Sequence, residues 1–272
     1  MYPIIDVKAL NQLPERQLLD CRFDLMNPQA GYDQYLQGHL PGARYANLDL
    51  DLATLGAGSG RHPLPSDEAF SQTLSRLGIR VDATVVVYDG AGGALAARAW
   101  WMLSACGLDC AVLDGGIGAW TAAGLPLTQG PEDIEPTQVA VELDRSRVVA
   151  GDQLAADLEA GAVMLMDARA ANRCRGEVEP IDPVAGHVPG AENRPFSDNL
   201  LDGRFKAQAE LADEWVSVLE GRSPEQVVHM CGSGVTACTN LLAMEAAGLS
   251  GSRLYVDSWS GWIAENRPVA TG

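Results

Sequence analysis

The chain has 272 residues, 47% of them apolar and 20% charged, the balance of an ordinary globular protein and not of a disordered or fibrous one. Its 36 acidic against 19 basic residues give a formal net charge of −17, which argues against a nucleic-acid binder or a binder of anionic membranes, since both require a basic surface. A site for an anionic substrate would have to create its own local positive field.

The N-terminal run Met1-Tyr2-Pro3-Ile4-Ile5-Asp6 has no basic leader followed by an apolar segment, so no signal peptide is expected. No apolar stretch approaches the roughly 18–20 residues of a membrane span. Six cysteines stand at 21, 106, 110, 174, 231 and 238, with no CxxC pair and no zinc-ligand spacing. In a chain this long that pattern reads as reduced thiols in the cytoplasm, each by default a small buried hydrophobe. No metal site is expected.

A repeat of domain size organises the chain. The first half contains Leu18-Leu19-Asp20-Cys21-Arg22, Gly38-His39-Leu40-Pro41-Gly42-Ala43, Val85-Val86-Val87-Tyr88-Asp89-Gly90 and Gly115-Gly116-Ile117-Gly118-Ala119-Trp120. The second half contains, in the same order, Leu165-Met166-Asp167-Ala168-Arg169, Gly186-His187-Val188-Pro189-Gly190-Ala191, Val227-Val228-His229-Met230-Cys231-Gly232 and Ser258-Trp259-Ser260-Gly261-Trp262. Two similar domains are therefore expected, over 1–127 and 145–272. Between them, 128–144 reads as an extended linker, with Gly130, Pro131 and Pro136, acidic residues and no clear helical stripe.

Within each half, strands and helices alternate. The first half reads as a strand over 84–88, a helix over about 92–106 and a strand over 110–113. In the second half, Gln226–Met230 is a short buried strand. Val235–Ala247 then places Val235, Cys238, Leu241, Leu242 and Ala246 on one helical stripe, with Gly248 as its stop. Leu254-Tyr255-Val256 is the next strand. Such βαβ units imply an α/β fold, with a parallel sheet flanked by helices on both faces in each domain.

The repeat is also an internal control, because features present in both halves serve the fold. His39 and His187 accordingly read as turn histidines that satisfy nearby backbone, and Asp20/Arg22 and Asp167/Arg169 as polar pairs at a strand end. The halves differ at the strand-to-helix turn. The first has Asp89-Gly90-Ala91-Gly92-Gly93-Ala94, the second Cys231-Gly232-Ser233-Gly234-Val235-Thr236. Ligands of open parallel sheets bind at the carboxyl ends of strands, where Cys231 stands. Backbone N–H groups of 232–237 at a helix N-terminus bind anions and favour thiolate. Gly232 and Gly234 admit the positive φ that such a loop needs. Cys231 is thus the candidate nucleophile. Aspartate in the equivalent place cannot accept sulfur, so the first half is expected to be catalytically silent. Cys238 lies two helical turns on, about 10 Å by helical rise, beyond disulfide reach. It reads as core, as do Cys21, Cys106 and Cys110.

Two repeats with D-x-R, G-H-[LV]-P-G-A and a C-x-x-G-V-T-A loop resemble the two-domain rhodanese sulfurtransferases, over nearly the whole chain. The resemblance implies two tandem rhodanese-like domains, an inert first one and a catalytic second one whose Cys231 becomes a persulfide. Thiosulfate-specific members resemble C-R-K-G-V-T-A, with two cations facing a dianion. C-G-S-G-V-T-A is similar to the 3-mercaptopyruvate branch, whose donor carries one carboxylate and requires less cationic charge.

That branch implies an Asp49–His62–Ser233 relay for proton movement, and Arg173 as the group that holds the substrate carboxylate. Met26 stands at the same offset from Asp20 as Arg173 from Asp167. With Arg173, the substrate-binding set is the loop Gly232, Gly234, Val235 and Thr236. The branch commonly has a second arginine before its second G-H-x-P-G. Here the stretch is Glu177-Val178-Glu179-Pro180-Ile181-Asp182, acidic and short, which leaves Arg175 or Arg194 as substitutes.

The expected partners are a small anionic sulfur donor and, as acceptor, a thiol, a thioredoxin-like protein or cyanide. No cofactor is required. The alternatives are a thiosulfate:cyanide sulfurtransferase and a non-catalytic sulfur-carrier or binding module. A cysteine phosphatase would need C-x5-R, but Ala237 stands at the arginine position. A dinucleotide site at Gly90-Ala91-Gly92, with Asp114 ending the next strand, lacks its third glycine, because Leu95 takes that place.

Overall fold

The structure, a computed structural model, describes residues 2–272. Met1, the first residue of the expected first domain, lies outside the described residues. The chain forms two compact units whose boundaries cross the sequence repeat. The first unit takes the chain up to Thr54, Leu64–Leu143 and Asp202–Phe205. The second takes Leu55–Pro63, Asp144–Leu201 and Lys206–Gly272.

In chain order the first unit carries β1 (Ile4–Ile5), α1 (Val7–Gln12), β2 (Arg16–Asp20), α2 (Ala30–Gln37), β3 (Ala43–Tyr45), α3 (Leu48–Asp51), α4 (Asp67–Arg76), β4 (Thr84–Tyr88), α5 (Ala96–Ala105), β5 (Cys110–Leu113) and α6 (Gly116–Ala122). Its sheet is wholly parallel, in the order β1-β5-β4-β2-β3. The β-branched run Val85-Val86-Val87 is completely buried, as a strand covered on both faces requires. α4 begins where Ser66 Oγ accepts from Ala69 N (3.1 Å), has Asp67 and Glu68 in its first turn and ends on Arg76, all favourable to a helix dipole.

The second unit carries α7 (Gly151–Glu159), β6 (Met164–Asp167), α8 (Ala171–Cys174), β7 (Glu192–Asn193), β8 (Leu200–Leu201) and, past β9 (Arg204–Phe205), which groups with the first unit, α9 (Gln208–Leu219). It ends with β10 (Val227–Met230), α10 (Ala237–Ala246), β11 (Arg253–Leu254) and α11 (Ser258–Ala264). Its parallel sheet runs β11-β10-β6-β7. The counterpart of β1 in this unit is reduced to a parallel bridge between Val148 and Leu254.

The repeated landmarks fold alike. Arg22 Nη2 bonds Asp20 Oδ2 (2.5 Å) and Gly38 O (2.8 Å); Arg169 Nη2 bonds Asp167 Oδ2 (2.6 Å) and Gly186 O (2.8 Å). His39 Nδ1 meets Tyr35 O (2.9 Å), and His187 Nδ1 meets Cys174 O (2.8 Å).

Three elements differ from expectation. The helix expected from about 92 starts at Ala96, because Gly92 (φ 66°) and Gly93 (φ 88°) are left-handed and the chain is still turning. Only Arg253–Leu254 of the last strand pairs, although Tyr255 N still bonds His229 O (2.9 Å). α10 does not present one apolar stripe. Between β10, β11 and α9 it is buried from Ala237 to Met244, polar Thr239 and Asn240 included.

Residues 131–144 carry no helix or strand, and this stretch up to Leu143 lies along the first unit. Val139 N and Val141 N donate to Ser75 Oγ and Ser71 Oγ, both at 3.0 Å.

Candidate active site

β10 delivers Cys231 to the carboxyl edge of the second sheet, and residues 231–236 turn directly into α10. Cys231 is buried. The ten-residue α10 directs the positive end of its dipole at this turn. The two loop glycines are there for different reasons. Gly234 is left-handed (φ 73°), and a Cβ on it would lie 2.4 Å from Val256 O. Gly232 is not left-handed, contrary to expectation. What it supplies is space, since a Cβ there would stand 3.2 Å from Arg61 Nη2 and 3.7 Å from Arg173 Nη2.

α11 holds the loop from the side. Trp259 N donates to Cys231 O (3.0 Å) and Ser260 N to Gly232 O (2.9 Å). Cys231 N donates to Ser258 Oγ (3.1 Å), which itself donates to Tyr255 O (2.9 Å). Ser258 is left-handed (φ 51°), a costly conformation for a residue with a Cβ. That conformation places its hydroxyl under the Cys231 amide.

Next to the cysteine, Ser233 Oγ and His62 Nδ1 are 2.7 Å apart, both side chains buried. His62 arrives on Leu55–Pro63, the stretch of the first half that groups with the second unit. This stretch is anchored by Arg61 N, which donates to Ser260 Oγ (3.0 Å). It is anchored also by Gly60, whose Cβ would be 2.7 Å from Asp257 Cα.

The acidic run 177–182 surrounds two arginines. Glu179 accepts from Arg173 Nη2 (2.6 Å), Ile181 N (3.1 Å) and Asp182 N (3.2 Å). Burial works against its ionisation, but the hydrogen bonds from Arg173 and the two amides hold its carboxyl below the ordinary glutamate value. Asp182 pairs with Arg61 through Oδ1 and lies 3.6 Å from Arg173 through Oδ2.

Arg173 therefore comes close to Gly232, beside Cys231, in a loop that continues through Gly234 and Val235 to Thr236 at the start of α10. Asp49 belongs to the first unit, in α3, where partial burial raises its carboxyl pKa. Arg175 and Arg194, the expected substitutes for a second arginine, are engaged elsewhere. Arg175 pairs with Glu177 at the surface, and Arg194 pairs with Glu214 over the Trp215 ring. Sequence reasoning missed Arg61, Asp182 and Ser258. The signal for Arg61 was its adjacency to His62; for Ser258 it was a serine at the place of Gly116 in the first half.

Two other thiols, Cys174 and Cys21, are poorly suited to nucleophilic work. Burial pushes Cys174 up to about 12 and also raises Cys21, with nearby carboxylates adding to both. In the first unit the equivalent of Cys231 is Asp89. Its carboxylate accepts four backbone N–H bonds from the loop that follows: Ala91 (2.8 Å) and Gly93 (2.9 Å) on Oδ1, Leu95 and Ala96 (both 2.8 Å) on Oδ2. Asp89 thus occupies the turn read as resembling a dinucleotide loop. Asp114 accepts from Phe205 N (2.9 Å).

The fold and the paired loops define a tandem rhodanese: a family model described as the rhodanese-like domain matches residues 5–123 and 150–265, and the chain belongs to that family. Among its relatives, it is 48% identical over 265 residues to a probable 3-mercaptopyruvate sulfurtransferase of Pseudomonas aeruginosa, covering 95% of this chain and 93% of that one. It is 41% identical to a putative thiosulfate sulfurtransferase of Mycobacterium tuberculosis, covering 94% and 90%. Among solved structures, the 3-mercaptopyruvate sulfurtransferase of Leishmania major superposes with a TM-score of 0.87 at 30% identity, covering 98% of this chain and 75% of that one. The protein is an enzyme of the sulfurtransferase type. No helix among the described residues is long and apolar enough to cross a membrane.

Proposed function

We propose that this protein moves sulfur from 3-mercaptopyruvate to a thiol, a thioredoxin-like protein or cyanide, through a persulfide on Cys231. The observation that carries the reading is the 2.7 Å contact of Ser233 and His62 beside the only loop position that exchanges aspartate for cysteine between the halves. The Cys231 thiolate attacks the donor sulfur. The sulfur–carbon bond breaks, and its electron pair leaves on the enolate of pyruvate. The helix dipole and the loop amides favour negative charge on sulfur. Arg173 holds the donor carboxylate. Ser233 and His62, with Asp49 as third member of the relay, pass the proton that converts enolate to pyruvate. The acceptor then attacks the outer sulfur and restores the Cys231 thiolate. Six thiols suit a reducing compartment, and we place the enzyme in the cytoplasm.

Thiosulfate is the second donor, favoured by two guanidinium groups at Gly232 where the loop itself carries none. Intact-protein mass spectrometry without reductant, after incubation with each donor, separates the readings. Gain of one sulfur from 3-mercaptopyruvate, absent in Cys231→Ser, is expected. Gain mainly from thiosulfate would assign the donor differently. No gain from either would leave a binding module.

A further inference from the structure

The −17 chain must assemble a local positive field for an anionic donor, and one arginine, Arg173, is already tied to Glu179. Arg61 changes this balance. Its Nη2 stands 3.2 Å, and that of Arg173 3.7 Å, from the point where a Cβ on Gly232 would be. Two guanidinium groups therefore meet over the residue next to the nucleophile. Between them sits Asp182, its side chain 3% exposed. Its Oδ1 pairs with Arg61, while its buried Oδ2 accepts no hydrogen bond among the described residues and lies 3.6 Å from Arg173 Nη2. Arg61 Nε is also buried and unpartnered among them. A buried carboxylate satisfied on one oxygen, between two cations with unused donor capacity, is an incompletely paired arrangement.

We propose that Arg61 is a donor-binding residue, the second guanidinium for the substrate carboxylate, and that Asp182 occupies the place of that carboxylate until the donor displaces it. The inference rests on the sulfur-transfer reading above. Displacement exchanges one carboxylate for another, so the cluster keeps its charge. The incoming group accepts from both Arg61 and Arg173, which Asp182 does not achieve. An anion that cannot make both contacts does not release Asp182, so the pair selects as well as binds. The hydrogen bond of Arg61 N to Ser260 Oγ fixes the backbone from which this guanidinium extends.

The test is the steady-state kinetics of Arg61→Met, Arg61→Lys, Asp182→Asn and the Arg61→Met/Asp182→Asn double variant with 3-mercaptopyruvate, with Tm recorded for each. Arg61→Met is expected to raise KM about 10- to 100-fold, with kcat changed less than about threefold, the mark of a lost anchor. Arg61→Lys should recover part of the loss, and it serves as the anchor variant if Arg61→Met lowers Tm. Asp182→Asn should lower KM by about threefold or more, because the competing carboxylate is gone. The double variant should keep the high KM of Arg61→Met. A KM within about twofold of wild type for Arg61→Met would overturn the inference. So would an Asp182→Asn variant as impaired as Arg61→Met, with the double no worse than either, since that identifies a purely structural ion pair. Wild type that acquires no sulfur on Cys231 would instead defeat the underlying reading, before any variant is compared.

Discussion

Two loops occupy the same place in the two halves, and they treat negative charge in opposite ways. In the first, Asp89 is a permanent anion, and four amides close on its carboxylate. In the second, Cys231 takes the equivalent place, and on the persulfide proposal above its loop receives an anion only during turnover. An aspartate oxygen lies one bond beyond Cγ, just as the outer sulfur of a cysteine persulfide lies one bond beyond Sγ. On that proposal, the Asp89 loop illustrates what the Cys231 loop receives during turnover. The difference also explains the arginines. Asp89 carries its own charge, and four amides satisfy it. The loop of Cys231 is flanked by Arg61 and Arg173, where Gly232 leaves them room.

Exchanging residues between the halves breaks this comparison one contact at a time. Cys231→Asp should abolish sulfur transfer, by about 1,000-fold or more, and leave Tm at or above that of wild type. A lowered Tm would mean that the second loop cannot close on a carboxylate. Asp89→Ala strips four amides of their acceptor, so urea unfolding should show the first unit destabilised by about 3 kcal/mol; an unchanged midpoint would remove the cradle as a source of stability. Ser233→Ala, which installs the equivalent residue Ala91, should lower kcat about 100-fold, and adding His62→Ala should cost little more if the two act as one unit.

Ser258→Gly copies Gly116, which is left-handed as well (φ 52°). It keeps the turn and removes only the acceptor of the Cys231 amide, a loss of about 1 kcal/mol. Ser258→Ala loses the acceptor and keeps the strain, so it should be the less stable of the two in thermal melts. The smallest effect at neutral pH belongs to His229→Val, after Val87. Burial lowers the His229 pKa to about 3, so the folded chain holds it neutral while the unfolded chain protonates near 6.5. Its contribution to stability is complete above the unfolded pKa and falls away as pH drops from about 6.5 to 3. The valine variant should flatten that limb of a stability–pH profile; an unchanged slope would assign the acid sensitivity to other groups.

Much of this arrangement was legible from residue order. Buried runs such as Val85–Val87 have a period and a composition that announce a covered strand, and the repeat doubles every such signal. The functional asymmetry was legible for the same reason, since one loop serves as the control for the other. Helix starts were less legible. The glycine-rich turn after Asp89 continues the apolar pattern of α5, but left-handed Gly92 and Gly93 keep the chain turning around the Asp89 carboxylate and delay the helix to Ala96. α10 hid its burial because a helix covered all round has no polar face to read. Arg61 was legible only as the neighbour of His62. Its guanidinium comes to Gly232 by a tertiary approach, and nothing local to Gly60-Arg61-His62 encodes that end point. The acidic run 177–182 reads as hostile to an anionic substrate until Glu179 and Asp182 are seen to be matched to arginines.

The segment Leu55–Pro63 bears on how the gene can be cut. A fragment starting at Asp144 would contain the cysteine, its loop and its sheet, yet it would lack the histidine that meets Ser233 and the arginine above Gly232. The first half is thus not a spare copy that deletion could discard, because it lends the second unit two side chains.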